Sequence, residues 1–188
     1  MSESAVPRGE VAALVAVQSG LADRPGVLTA ARGLSHFGEH SIGWLAVALI
    51  GAVLMPKRRR DWLVAGAGAF VAHAAAVLVK RLVQRKRPHH PAVAVNVGTP
   101  SRLSFPSAHA TSTTAAAILM GRATGLPRGV GAAILVPPMA LSRVLLGVHY
   151  PSDVAFGVAL GAAVAGIAVR LESRLFATAG PGGKGVAE

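Results

Sequence analysis

WLVAGAGAFVAHAAAVLV, residues 62–79, carries no formal charge over its eighteen positions, and His73 is its one titratable side chain. At 1.5 Å per residue a helix of this length covers about 27 Å, close to the hydrocarbon thickness of a bilayer. Lys57-Arg58-Arg59-Arg60 precedes it and Lys80 ends it, so cations bracket it on both sides. That pattern predicts a membrane-spanning helix, and the neighbouring segments extend it into a bundle.

The composition agrees. Hydrophobic residues make up 52% of the 188 and charged residues only 14%, against about a quarter in soluble domains. The net charge of +11 would suggest nucleic acid in a soluble protein, but the cations sit in short clusters between apolar runs. With only two Trp, one Tyr and five Phe there is little material for base stacking, so membrane lipids, not nucleic acid, are the expected contacts. No cysteine is present, which removes disulfides and thiolate metal sites. The N-terminal residues lack the basic and apolar regions of a signal peptide, so insertion rests on internal segments.

Upstream, residues 41–55 form another span, stopped by Pro56 and the basic run. Residues 9–19 are apolar but short and read as an interfacial helix, with a sixth span over 9–20 as the alternative. The sequence around Asp23 to Gly26 breaks the chain, and the mixed residues 29–40 read as a second surface piece. Downstream, residues 89–103 are proline-rich without a helical period and read as a long loop. Residues 106–123 are rich in Ala, Thr and Ser, so this third span should face other helices. Residues 129–148 form a fourth, with Pro137 and Pro138 predicting a kink, and 154–169 a fifth. Gly157, Gly161 and Ala165 give the fifth a small-residue face for close packing. The expected fold is all-α: a polytopic membrane bundle of five transmembrane helices plus a short N-terminal interfacial helix. Residues 1–179 form one domain and 180–188 a flexible tail.

Tracing these spans puts three polar clusters on one membrane face. The opposite face receives Lys57 to Arg60, Arg122, Arg128, Arg170, Arg174 and Lys184, which makes that side cytoplasmic by the positive-inside tendency. In the first cluster Lys80 and Arg87-Pro88 can grip one phosphate, Arg as a planar fork and Lys as a point charge, although interfacial anchoring also explains such cations. In the second, Pro106-Ser107-Ala108-His109 starts a helix, where free N–H groups favour an anion and His109 can donate a proton. A capped helix with an incidental histidine is the alternative. In the third, Arg143 adds a cation, and Asp153 can orient His149 as a nucleophile; a structural Arg143–Asp153 ion pair is the competing explanation.

Together the three read K-x6-RP, PSAH and SR-x5-H-x3-D, through Lys80, Arg87, Pro88, Pro106, Ser107, His109, Ser142, Arg143, His149 and Asp153. The chain thus resembles the type 2 phosphatidic acid phosphatase superfamily over residues 60–170. It departs at Ala108, where the family usually has glycine; alanine keeps the backbone N–H. The resemblance implies a metal-independent, cofactor-free lipid phosphatase. His149 attacks phosphorus to give a phosphohistidine, Asp153 orients it, and His109 handles the leaving-group proton. Lys80, Arg87, Ser107, Arg143 and the backbone at Ala108 meet the phosphate charge.

Residues 34–40 (LSHFGEH) and 95–101 (VNVGTPS) are similar to a bacterial branch of that family acting on decaprenylphosphoryl-5-phosphoribose in cell-wall arabinan synthesis. Undecaprenyl pyrophosphate, phosphatidylglycerol phosphate and phosphatidic acid are alternative substrates. A vanadate-dependent haloperoxidase, or a lipid-binding or transport protein without catalysis, are alternative functions. Arg85, Lys86, His89, His90, Asn96 and Arg102, in the loop above the phosphate, are candidate headgroup contacts. The expected partner is a lipid-linked phosphate at the extracytoplasmic face of a bacterial plasma membrane, with oligomeric state left open.

Overall fold

The computed structural model describes residues 6–177, with side-chain surroundings given to residue 174; the expected tail over 180–188 lies outside them. The described residues form seven α-helices: α1 (Gly9–Leu21), α2 (Val27–Gly38), α3 (Ile42–Leu54), α4 (Arg59–Val83), α5 (Ala108–Thr124), α6 (Val130–Leu145) and α7 (Pro151–Ala177). Among them there is no strand, only one isolated backbone bridge between Lys86 and Leu103.

Helix α5 is the axis of the bundle, packed against α4, α6 and α7. Its composition explains the position. Twelve of its seventeen residues are buried, nearly all Ala, Thr or Ser, so neighbours approach closely and the hydroxyls bond back to its own carbonyls. The small face of α7 is where it meets α5: a Cβ on Gly157 would lie 2.8 Å from the Ser107 carbonyl oxygen, and one on Gly161 2.8 Å from Thr114 Cβ. The main apolar core lies around Trp44, Trp62, Leu119, Met120 and Ala165.

Three stretches are long and apolar enough to cross a membrane: Val27–Leu54, Pro56–Val83 and Pro151–Arg174. Helix α6 is apolar but shorter, and it runs through Pro137 and Pro138 as one helix. Two expectations need correction. Residues 29–40 are not a separate surface piece. They form α2, which buries Ala31, Ser35 and Gly38 and continues through a 3₁₀ turn (Glu39–Ser41) into α3. The buried positions follow the i, i+4, i+7 helical spacing, but two of the three are Ser and Gly, which mask an inward face. Pro106 is not in the first turn of α5. It precedes the N-cap residue Ser107 and follows a cis peptide bond from Phe105.

Candidate active site

The site is built where the α6–α7 connection, the N-terminus of α5 and the end of α4 meet. Gly147 makes the connection possible. Its φ of +73° suits glycine, and a Cβ there would run into the Ala94 carbonyl. Two residues on, His149 is 2% exposed, with Nδ1 3.6 Å from Asp153 Oδ2. Burial, then the nearby charges of Arg87, Arg143 and Lys80, hold the His149 imidazole well below its usual pKa, so the ring is neutral at pH 7.

Asp153 lies in the first turn of α7, where the helix dipole favours a carboxylate. It is fully buried and both oxygens are engaged: Oδ2 accepts from the Tyr150 N–H at 2.9 Å and Oδ1 from Arg85 Nη1 at 2.8 Å. The expected alternative, a structural Arg143–Asp153 pair, does not form. Arg85 takes that place, stacked 4.0 Å over the Tyr150 ring, and its Nη2 donates to Glu10 Oε2 at 2.6 Å. Glu10 in turn accepts from the Ser152 N–H at 2.8 Å, which ties α1 to the start of α7.

Three cations surround the imidazole. Arg87 donates from Nε to Ser101 O at 2.8 Å and from Nη1 to Val148 O at 2.6 Å, with Nη1 3.3 Å from His149 Nε2. Burial lowers its pKa to about 10, which leaves it charged at neutral pH. Arg143 is 2% exposed; Nη1 donates to Ser35 Oγ at 2.7 Å, while its buried Nε has no protein partner. Lys80 spends all three ammonium protons on the carbonyls of Leu103, Ser104 and Pro106, at 3.1, 3.1 and 3.0 Å. It brings a positive charge to the cavity while pinning the segment that leads into α5.

At that N-terminus Ser107 caps the helix, its Oγ accepting from the Ala110 N–H at 3.4 Å. His109 Nε2 lies 2.9 Å from the Ser35 carbonyl. A carbonyl only accepts, so Nε2 carries the hydrogen and Nδ1 is left to exchange a proton.

These groups line a cavity of about 490 Å³, shared by Ser35, Lys80, Arg87, Ala108, His109, Arg143 and His149. None of the six loop side chains expected to contact a headgroup lines it. Arg85 lies behind Asp153. Lys86 bridges to Leu103, and His90 accepts from the Ala92 N–H. Asn96 bonds through its backbone to Leu146 and Arg32, the Arg102 carbonyl accepts from Arg87 N–H, and His89 is exposed. The loop turns inward instead along Val97, Gly98, Thr99, Pro100 and Ser101. Sequence reasoning missed Ser35, which meets both His109 and Arg143, and Glu10. Only the LSHFGEH segment hinted at the first.

A neutral imidazole beside a carboxylate, ringed by cations at one end of an apolar helical bundle, defines a membrane protein with a phosphate-ester site. The family model of the PAP2 superfamily matches residues 61–177, and the chain belongs to that superfamily. A Mycobacterium tuberculosis protein named decaprenylphosphoryl-5-phosphoribose phosphatase is 77% identical over 167 residues, covering 89% of this chain and 92% of the relative. Among solved structures, the transmembrane PAP2-type phosphatidylglycerolphosphate phosphatase of Bacillus subtilis superposes with a TM-score of 0.67 at 21% identity, covering 87% of this chain and 86% of that one. A bacterial vanadium-dependent iodoperoxidase gives 0.65 at 20% identity, covering 86% of this chain but 48% of that one. At those identities the likeness concerns the fold.

Proposed function

We propose that this integral membrane phosphatase removes the phosphomonoester of decaprenylphosphoryl-5-phosphoribose, with the site open to the extracytoplasmic face. The 77% identity to the mycobacterial phosphatase, sustained across nearly the whole of both chains, carries the substrate assignment.

The residues supply a complete double displacement. His149 Nε2 attacks phosphorus in line while Asp153, on the Nδ1 side of the ring, balances the imidazolium that forms. The 3.6 Å Nδ1–Oδ2 separation tightens as that charge develops. His109 enters the step as imidazolium, with its Nε2–H on the Ser35 carbonyl and a second proton on Nδ1. It gives the Nδ1 proton to the departing ribose alkoxide. Water, deprotonated by the same nitrogen, then attacks the phosphohistidine, releasing inorganic phosphate and neutral His149. Arg87, Arg143 and Lys80 balance the charge on the equatorial oxygens, the part a divalent metal plays in other phosphoryl-transfer sites. Activity should survive chelators, and a strict need for added divalent metal would sink this scheme.

The deciding measurement is phosphate release by detergent-solubilised protein from decaprenylphosphoryl-5-phosphoribose, undecaprenyl pyrophosphate, phosphatidylglycerol phosphate and phosphatidic acid. The first should have the highest kcat/KM, and a higher value for any other would reassign the substrate. Orientation is testable separately because the chain has no native cysteine. Gly98→Cys, on the cavity wall, should react with an impermeant maleimide in intact cells; labelling only after lysis would reverse the orientation.

A further inference from the structure

The wall of the same cavity also includes His36, Glu39, His40 and His73, none of which the mechanism uses. On α4, His73, Val77, Lys80 and Arg81 are spaced i, i+4, i+7 and i+8, so one helix face runs from Lys80 to His73. His73 lies midway along a membrane-crossing helix, where an ionisable side chain is costly and commonly marks a polar pathway or ligand. Its buried Nδ1 has no hydrogen-bond partner, and its ring stands 5.8 Å from that of His40.

The corner between α2 and α3 is strained. His40 and Ser41 have φ of +50° and +62°, a left-handed conformation that residues other than glycine adopt sparingly. This corner separates α2 from α3 and brings Glu39 and His40 to the cavity wall. Glu39 is within electrostatic reach of Arg143, and His73 of His109, so this cluster adjoins the reacting groups.

We propose that Glu39, His40 and His73 form a subsite for the hydroxylated group that joins the scissile phosphate to its lipid. This deepens the reading of the chain as a phosphatase of a lipid-linked sugar phosphate and rests on it. The choice of ligand follows from donor–acceptor balance. A carboxylate only accepts, and a neutral imidazole both donates and accepts, which matches vicinal hydroxyls. A second phosphate offers acceptors alone and would meet the Glu39 carboxylate at this position. His36 Nδ1 lies 3.9 Å from Glu39 Oε2 on the same wall.

The test is a ratio of kcat/KM values in wild type, His73→Leu and Glu39→Gln. The numerator is decaprenylphosphoryl-5-phosphoribose and the denominator phosphatidic acid, which has no hydroxyl beside its phosphate. A site built to bond hydroxyls loses discrimination when its partners are removed, so the ratio should fall about tenfold or more in each variant. An unchanged ratio, whatever the absolute rates, overturns the subsite. His73→Leu should also unfold at a temperature no lower than wild type, because no protein hydrogen bond to Nδ1 is lost; a large drop would assign the residue to the scaffold. Wild type inactive on the ribosyl lipid but active on phosphatidic acid would instead refute the substrate assignment. The same ratio is then read with phosphatidylglycerol phosphate, whose free hydroxyl neighbours the scissile phosphate, as numerator, and the same criterion applies.

Discussion

His149 and His109 face one cavity, yet the chain secures them by opposite means. His149 sits in a nearly solvent-free niche with a graded support behind it: Asp153, then Arg85, then Glu10 on α1. His109 is held by a single carbonyl from α2 and by the absence of a side chain at Gly38, where a Cβ would lie 2.7 Å from its ring. The difference suits the two tasks proposed for them. A nucleophile must stay neutral and aimed, so it needs a fixed tautomer and a fixed position. An acid–base group must pass a proton out and take one back, so one nitrogen is tethered and the other left free.

The largest effect that could break this contrast comes from the nucleophile. His149→Ala should lower kcat by about 10⁴-fold or more and abolish acid-labile phosphoenzyme in rapid-quench labelling. A labelled phosphoenzyme in that variant would move the nucleophile elsewhere. His109→Ala should cost roughly 10²- to 10⁴-fold on the lipid substrate, the range of general acid–base catalysis. Read as kcat/KM, which ends at phosphoenzyme formation, the loss should shrink on p-nitrophenyl phosphate, whose leaving group needs no proton. Equal losses on both substrates would remove His109 from the leaving-group step.

Smaller effects probe the supports. Arg85→Ala frees Asp153 to turn, and misplacement on that scale lowers kcat about ten- to a hundredfold with KM little changed. Glu10→Gln should do less, because a partly exposed ion pair is worth little. A reversed order would mean that α1 contributes more than a counter-charge. Gly38→Ala should reduce kcat several-fold by displacing His109, with phosphoenzyme formation affected more than vanadate affinity.

The smallest effect is on stability. The folded pKa of His149 lies below the ordinary 6.5, so near and below that pH the unfolded chain binds a proton that the folded chain does not. This contribution is fully present above about 6.5 and fades as pH falls through it. Between pH 7 and 5 the wild-type melting temperature should drop by about a few degrees more than that of His149→Asn. Identical slopes would show that the folded imidazole takes up its proton at the ordinary pKa.

The clustering of the proposed site groups was legible because each motif is local in sequence: His149 and Asp153 stand four residues apart, across the start of α7. The fold was legible where apolar runs are long, as in residues 62–79. What stayed hidden depends on pairings between distant segments. Arg85 read as a candidate headgroup contact; its place in the structure comes from Asp153, 68 positions away, and Glu10, 75 away. Ser35 meets Arg143 across 108 positions, and no local pattern announces that. The loop failed for a related reason. Polar side chains nominated Arg85, Lys86, His89, His90, Asn96 and Arg102, whereas Gln18 anchors the stretch before the inward turn, donating to the Ala94 and Leu145 carbonyls and accepting from the Ala94 N–H.

The link from Glu10 through Arg85 to Asp153 also bears on what counts as the smallest working piece of this protein. The match to the family model begins at residue 61, and the three phosphate-site motifs lie within it. Yet the counter-charge for Arg85, the hydroxyl that meets Arg143 and the carbonyl that orients His109 all come from α1 and α2, before that point. A chimera that grafts residues 61–177 onto another N-terminal hairpin would carry an intact signature and an unsupported site. Transplanting this activity requires Glu10 and Ser35 to travel with the motifs.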